Sequence, residues 1–183
     1  LVVFKNKLYR SSFYYISEKG LNLIRDRFRE HFFPKKAPTK MDTRYFEHDC
    51  YVTKCRSALT KKGLACDWVS ERVLIHDIFT KNGEYRSKYM LQNLKNSSIP
   101  DGLFKTRKGD ICAFELEFTL KSTREIRQKL TVLNSEAKFT NGLFSRVLIV
   151  AGSSKIESSL KKIIEELGAS FKIMNLEELV NYE

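Results

Sequence analysis

The clearest hydrophobic pattern in the chain is a strict alternation from Ile111 to Thr119. Cys112, Phe114, Leu116 and Phe118 are apolar, and Ala113, Glu115, Glu117 and Thr119 fall between them. A strand has a period of two, so the two sets face opposite ways. Two carboxylates therefore share one face of a strand that otherwise reads as core. A buried charge without a partner is costly, so Glu115 and Glu117 need a cation, a proton or water. Pro100-Asp101-Gly102 precedes the strand across a short basic turn carrying Lys105, Arg107 and Lys108. Asp101 sits on the other arm of that hairpin and brings a third carboxylate close.

The elements around this strand follow from spacing. Met41, Tyr45, His48, Val52, Cys55 and Leu59 recur at i, i+4, i+7, i+11, i+14 and i+18, one face of a helix, with Asp42 or Thr43 as cap and Gly63 as stop. His48 lies in that apolar stripe, where a core histidine and a histidine serving a nearby site are the two readings. Residues 65–79 alternate and are rich in β-branched side chains, which predicts one or two strands anchored by Trp68. Glu71 reads either as a surface glutamate paired with Arg72 or as a group facing the site. Lys81-Asn82-Gly83-Glu84 signals a hairpin turn, and the basic stretch 85–96 reads as a short helix or an irregular insert.

A helix from Thr123 follows the alternating strand, with Ile126, Leu130 and Leu133 as its buried side. Lys121, Arg124, Arg127 and Lys129 read as a basic face beside the carboxylates. From Arg146 the order is strand, Gly152-Ser153-Ser154 loop, amphipathic helix, Gly168, strand and short helix. That is a β-α-β unit with parallel strands. The Gly-Ser-Ser loop carries no nucleotide-binding fingerprint and reads as a plain strand-to-helix turn.

The first 30 residues read as strand, turn, strand and helix, with Lys5-Asn6-Lys7 at the turn and Ser17 as N-cap. Such a basic-tipped hairpin resembles the end of a winged helix-turn-helix domain. Lys5, Lys7 and Arg10 would then contact phosphates, although an ordinary surface hairpin explains the same pattern. His31–Lys40 holds two of the three prolines and three lysines, so residues 34–40 read as a linker. Domains are accordingly expected at 1–33 and 41–183.

Charge narrows the partner. The 183 residues carry a net charge of +11 with a pI near 9.5, which points to a polyanion, DNA before an anionic membrane surface. No apolar run is long enough to span a bilayer and no signal peptide is visible. Leu1 in place of Met suggests a fragment of a longer chain. Cys50, Cys55, Cys66 and Cys112 form no C-x-x-C pair and read as thiols of a reducing cytosol, hence a cytoplasmic protein. Together with His48, three of them are poorly spaced for zinc. A homodimer is compatible with all of this.

Pro100-Asp101 followed by Glu115-Leu116-Glu117 on the next strand resembles the two-part motif of the PD-(D/E)XK nucleases, the restriction-endonuclease-like fold. The resemblance extends loosely to the replication-relaxation proteins of plasmids and mobile elements, through His48, Trp68 with Glu71, Asp101, Glu115 with Glu117, and Lys129. It implies an α/β fold with a mixed sheet flanked by helices. It also implies Asp101 and Glu115 as ligands of Mg²⁺ or Mn²⁺ and a DNA phosphodiester as substrate. The usual third-position Lys is Glu117 here. Glu117 would hold a second metal or act as base, and Lys129, or Lys121, would replace the missing cation. The activity implied is that of a metal-dependent endonuclease in nicking, relaxation or origin processing. The alternative is a DNA-binding protein on a nuclease-like core whose carboxylates are structural, paired with Lys121 or Arg124.

Overall fold

The computed structural model describes residues 2–6, 11–15, 19–20, 22–23, 46–71, 73–74, 99–119, 121–139 and 142–181. The chain divides into two compact units, Leu1–Arg44 and Tyr45–Glu183. In the first, strands β1 (Val2–Asn6) and β2 (Ser11–Tyr15) pair antiparallel, with Phe4 opposite Phe13. Lys5 and Asn6 thus extend the strand instead of forming its turn. Residues 19–20 and 22–23 are helical, in line with the helix predicted after Ser17. Lys7, Arg10 and the predicted linker lie outside the described residues, as do the turn at Lys81–Glu84 and the stretch 85–96.

The second unit is an α/β layer structure with a five-stranded mixed sheet flanked by helices. Its elements are α1 (Phe46–Lys61), β3 (Cys66–Ser70), β4 (Gly102–Lys105), β5 (Ile111–Glu117), α2 (Thr123–Lys138), β6 (Arg146–Ala151), α3 (Ser154–Glu166), β7 (Lys172–Asn175) and α4 (Leu176–Val180). The strand order is β3-β4-β5-β6-β7. The first two pairings are antiparallel and the last two parallel. The helix-strand order from residue 41 onward follows the pattern read from the sequence. Of the one or two strands expected over residues 65–79, one is present, and residues 75–79 lie outside the described residues. The strand anchored by Trp68 ends at Ser70, and Glu71, Val73 and Leu74 are helical. Serine favours a helix N-cap over a strand interior, which explains the switch.

Alternation along β5 splits the core in two. Ala113, with Leu103, Ile149 and Ala151, packs under Ile126, Leu130 and Leu133 of α2 and Ile156, Leu160 and Ile163 of α3. Cys112, Phe114 and Leu116, with Phe104, Leu148 and Val150, pack under Cys55 and Leu59 of α1 and Leu176 and Leu179 of α4. Burying two sheet faces under helices is what near-continuous apolar strands such as Val147–Ala151 require. Glu115 and Glu117 have the parity of Ala113, so both carboxylates enter the α2–α3 side.

Trp68 locks the edge of this sheet. Its ring stacks on Phe104 at 5.7 Å between centroids and tilts against Phe114 at 5.1 Å. A Cβ on Gly102 would come within 2.8 Å of its Cζ2. Gly102→Ala should therefore displace Trp68 or the strand and cost about 1–3 kcal/mol. A urea midpoint equal to wild type would show that the contact yields freely.

Candidate active site

The site forms where the β4–β5 ladder stops. Gly102 pairs with Phe114 and Phe104 with Cys112. Beyond Gly102 the chain turns away, and Asp101 leans back over β5. Its Oδ2 accepts a hydrogen bond of 2.7 Å from the Leu116 amide. The neighbouring carbonyl is used as well, since Asp101 O accepts from the Glu71 amide at 3.1 Å. Trp68, fixed on β3, thus sets Glu71 beside Asp101. From the α1 side His48 Nε2 stands 3.3 Å from Asp101 Oδ2 and 3.3 Å from Leu116 O.

Lys129 reaches the same place from α2. The helix begins at a complete capping box, in which the Ser122 hydroxyl accepts from the Glu125 amide while the Glu125 carboxylate accepts from the Ser122 amide. That cap fixes the helix start. It places position 129 among Ile126, Leu130 and Leu133, against the sheet. Lys129 Nζ donates to Glu115 Oε1. The lysine is 14% exposed and the glutamate only 2% in its side chain, so this is an interior ion pair. Lys129 thus stands beside the carboxylates, where the sequence places it, and is buried there against the sheet. Arg124 is exposed, and Arg127 is engaged by Glu166 of α3.

Glu117 is equally buried and takes a different cation. Lys121 Nζ donates to its Oε1 at 3.1 Å and lies 3.0 Å from Oε2, off that oxygen's hydrogen-bonding direction. Among the described residues, neither Glu115 Oε2 nor Glu117 Oε2 has a hydrogen-bond donor. Orphaned carboxylate oxygens in an interior are costly and point to something the protein side chains do not supply.

The electrostatics follow from this crowding. Burial, then the nearby Asp101, push the Glu115 carboxyl up to about 8 against the pull of Lys129. Burial alone would raise Asp101 too, but hydrogen bonding to His48 and the charges of Lys129 and His48 outweigh it, holding the carboxyl below its ordinary range. Burial works against the Lys129 ammonium, yet Glu115 and Asp101 overcome it and raise its pKa. Glu71 is raised by burial and by Asp101, with Lys129 and His48 opposing. Half-buried and bonded through its amide to Asp101, it borders the cluster, and Arg72 lies outside the described residues. His48 is raised to about 10, first by Asp101 and then by Asp49.

A pH dependence follows. A histidine whose folded pKa is raised from 6.5 to about 10 contributes stability that is complete below 6.5 and lost as the pH climbs toward 10. Glu115, raised toward about 8, adds loss in the same direction between 4.5 and 8. The urea midpoint should fall from pH 6.5 to 8.5, and His48→Gln should flatten the decline. An unchanged slope in the variant would contradict the His48–Asp101 interaction.

The basic residues named from sequence separate in space. Lys121 and Lys129 join the carboxylates. Lys105, Arg107 and Lys108 lie at the opposite end of the β4–β5 hairpin, beyond roughly 13 Å of strand from Glu115. There they neighbour Arg146, which bonds Asp110 at 2.8 Å.

No three His, Cys, Asp or Glu side chains among the described residues converge as a ready-made metal cage. The donor chemistry nonetheless suits Mg²⁺ or Mn²⁺. Magnesium takes hard oxygens, retains several waters, and is commonly held by one or two carboxylates plus substrate phosphate. Asp101 and Glu115, whose Oε2 accepts no hydrogen bond among the described residues, would supply such a pair. No family model, curated protein or solved structure matches this chain. The site is read from its own chemistry.

Proposed function

We propose that the second unit is a divalent-metal-dependent phosphodiesterase acting on DNA, built on a restriction-endonuclease-like core. The observation that carries this reading is the convergence of Asp101, Glu115 and Lys129 at the end of the central strand, two acids and one cation. The β3-β4-β5-β6 order, with the acids on the hairpin and the strand leading into α2, supports it. So does the net charge of +11.

Asp101 and Glu115 would hold Mg²⁺ or Mn²⁺, which supplies Lewis-acid stabilisation of the phosphate and a more acidic attacking water. The remaining work falls to the chain itself. Leu116 N–H and His48 fix the Asp101 carboxylate. Lys129, arriving from a helix instead of the strand, carries the positive charge that the developing phosphorane needs. In the resting site that charge rests on Glu115. Glu117 stands where nucleases of this type usually carry lysine, and its free Oε2 is the acceptor for a proton from water. Glu115, Glu117 and Lys129 lie largely out of solvent, which strengthens the charge interactions among them.

A second reading is favoured by one observation. Glu115 has Lys129, Glu117 has Lys121 and Asp101 has His48. Such pairing also suits a DNA-binding protein whose acids are structural and which does not cleave. Cleavage separates the two. Supercoiled plasmid incubated with Mg²⁺ or Mn²⁺ should be nicked or linearised, and chelation should stop it. Intact plasmid with both ions, despite measurable DNA binding, would leave the second reading.

Both readings place DNA on a basic protein. Binding to duplex DNA should therefore weaken steeply with salt, log K falling by about 0.9 per log unit of salt for every phosphate neutralised. Replacing Lys105, Arg107 and Lys108 together should reduce that slope if the hairpin turn touches the duplex. A flat salt dependence in the wild type would contradict DNA as partner.

A further inference from the structure

The pairing of β4 with β5 has a gap that side chains fill. Gly102 faces Phe114 and Phe104 faces Cys112, so the same register continued by two residues would set Pro100 opposite Leu116. Proline has no N–H, and an antiparallel ladder needs one at that position to satisfy the carbonyl across from it. The half of the rung that would serve the Leu116 carbonyl cannot form. The Leu116 amide is instead taken by Asp101 Oδ2 at 2.7 Å, and His48 Nε2 stands 3.3 Å from the Leu116 carbonyl. His48 Nε2 is also 3.3 Å from Asp101 Oδ2. Both of its neighbours are acceptors, so Nε2 carries the hydrogen and is shared between them.

We propose that His48 is a positioning residue. Through one N–H it replaces the donor that Pro100 lacks, ties the Asp101 carboxylate to the backbone of β5, and so sets Asp101 against Glu115 for a divalent cation. The inference rests on the reading of Asp101 and Glu115 as a metal pair. Its physical content is geometric. Both contacts fall on Oδ2, which leaves Oδ1 committed to neither. The residue that His48 grips, Leu116, is the one that separates Glu115 from Glu117. A shift of Asp101 would therefore alter its distance to both acids. His48 comes from α1, whose Cys55 and Leu59 are fully buried against the opposite sheet face, so the donor is mounted on a rigid element. Its side chain remains 31% exposed.

Groups that orient a metal-binding carboxylate typically govern affinity by 10- to 100-fold, roughly the size expected here. The test compares wild type, His48→Gln and His48→Leu. Gln retains a terminal N–H donor at similar reach, and Leu retains only bulk. Mn²⁺ binding would be followed by electron paramagnetic resonance in the presence of a short DNA duplex, with melting temperature measured alongside. His48→Leu should weaken Mn²⁺ binding by about 10- to 100-fold, and His48→Gln should recover most of it. Amide exchange at Leu116, read by NMR, should quicken in His48→Leu and return toward wild type in His48→Gln. If His48→Leu does not fold, His48→Asn, whose shorter arm cannot span both acceptors, takes its place. Wild-type Mn²⁺ affinity in the leucine variant, or a glutamine variant no better than leucine at equal melting temperature, would overturn the positioning role while leaving the metal site standing. Absence of Mn²⁺ binding in the wild type itself would overturn both.

Discussion

Lys129→Met should destabilise the second unit by about 3–5 kcal/mol at pH 8, the range for breaking a buried ion pair from one side. The mutation removes the cation that Glu115, Asp101 and Glu117 all feel. Glu115 would be left at 1% exposure with neither oxygen partnered. The size of the loss should depend on pH. Glu115 already titrates near 8, and without Lys129 it would be protonated to still higher pH. Measured at pH 6, where the neutral carboxyl carries no charge penalty, the loss should be smaller. The double variant Lys129→Met, Glu115→Gln should recover most of it, because exchanging both members for neutral groups of similar shape is close to neutral. Urea unfolding at the two pH values checks this. A loss under about 1 kcal/mol, unrelieved in the double variant, would mean the pair behaves as a surface one.

Glu115→Gln should have the opposite profile. Lys129 keeps Asp101 and Glu117 nearby, and one of several crowded acids is gone, so stability should change much less than in Lys129→Met. Activity should collapse. Loss of a ligand to the ion that stabilises transition-state charge forfeits several kcal/mol, which corresponds to a rate loss on the order of 10²–10⁴-fold. DNA affinity, which on this proposal rests on surface lysines and arginines, should stay near wild type. Single-turnover cleavage, filter binding and thermal melting on one preparation separate the three. A variant that cleaves normally would remove Glu115 from the reaction.

Much of this site was legible in the sequence because it depends on strand parity. The alternation from Ile111 to Thr119 put Glu115 and Glu117 on one face, and the hairpin brought Asp101 across to them. The same hairpin geometry shows why Lys105, Arg107 and Lys108 stand apart. A turn joining two strands lies at the opposite end from where they finish. Lys129 was legible beside the carboxylates, and its helical period shows how it reaches them. Positions 126, 129, 130 and 133 have the i, i+3, i+4, i+7 spacing of one buried face, and a lysine within that set points inward. Arg124 and Arg127 fall outside that set, and only charge groups them with it. Glu71 was harder. Its link to the site is a backbone bond to Asp101, set by the non-local pairing of β3 with β4, and nothing local records that pairing. His48 fell on the correct helical stripe, but its partners are 53 and 68 residues away in sequence.

The measurement that bears most directly on the site is Mn²⁺ binding followed by electron paramagnetic resonance with duplex DNA present, comparing wild type with Asp101→Asn. A metal-dependent nuclease site predicts saturable binding in the wild type that is lost in the variant while both proteins remain folded and bind DNA. Equal Mn²⁺ binding by the two proteins, or none by either, would contradict it and leave three acid–base pairs holding together the end of the central strand.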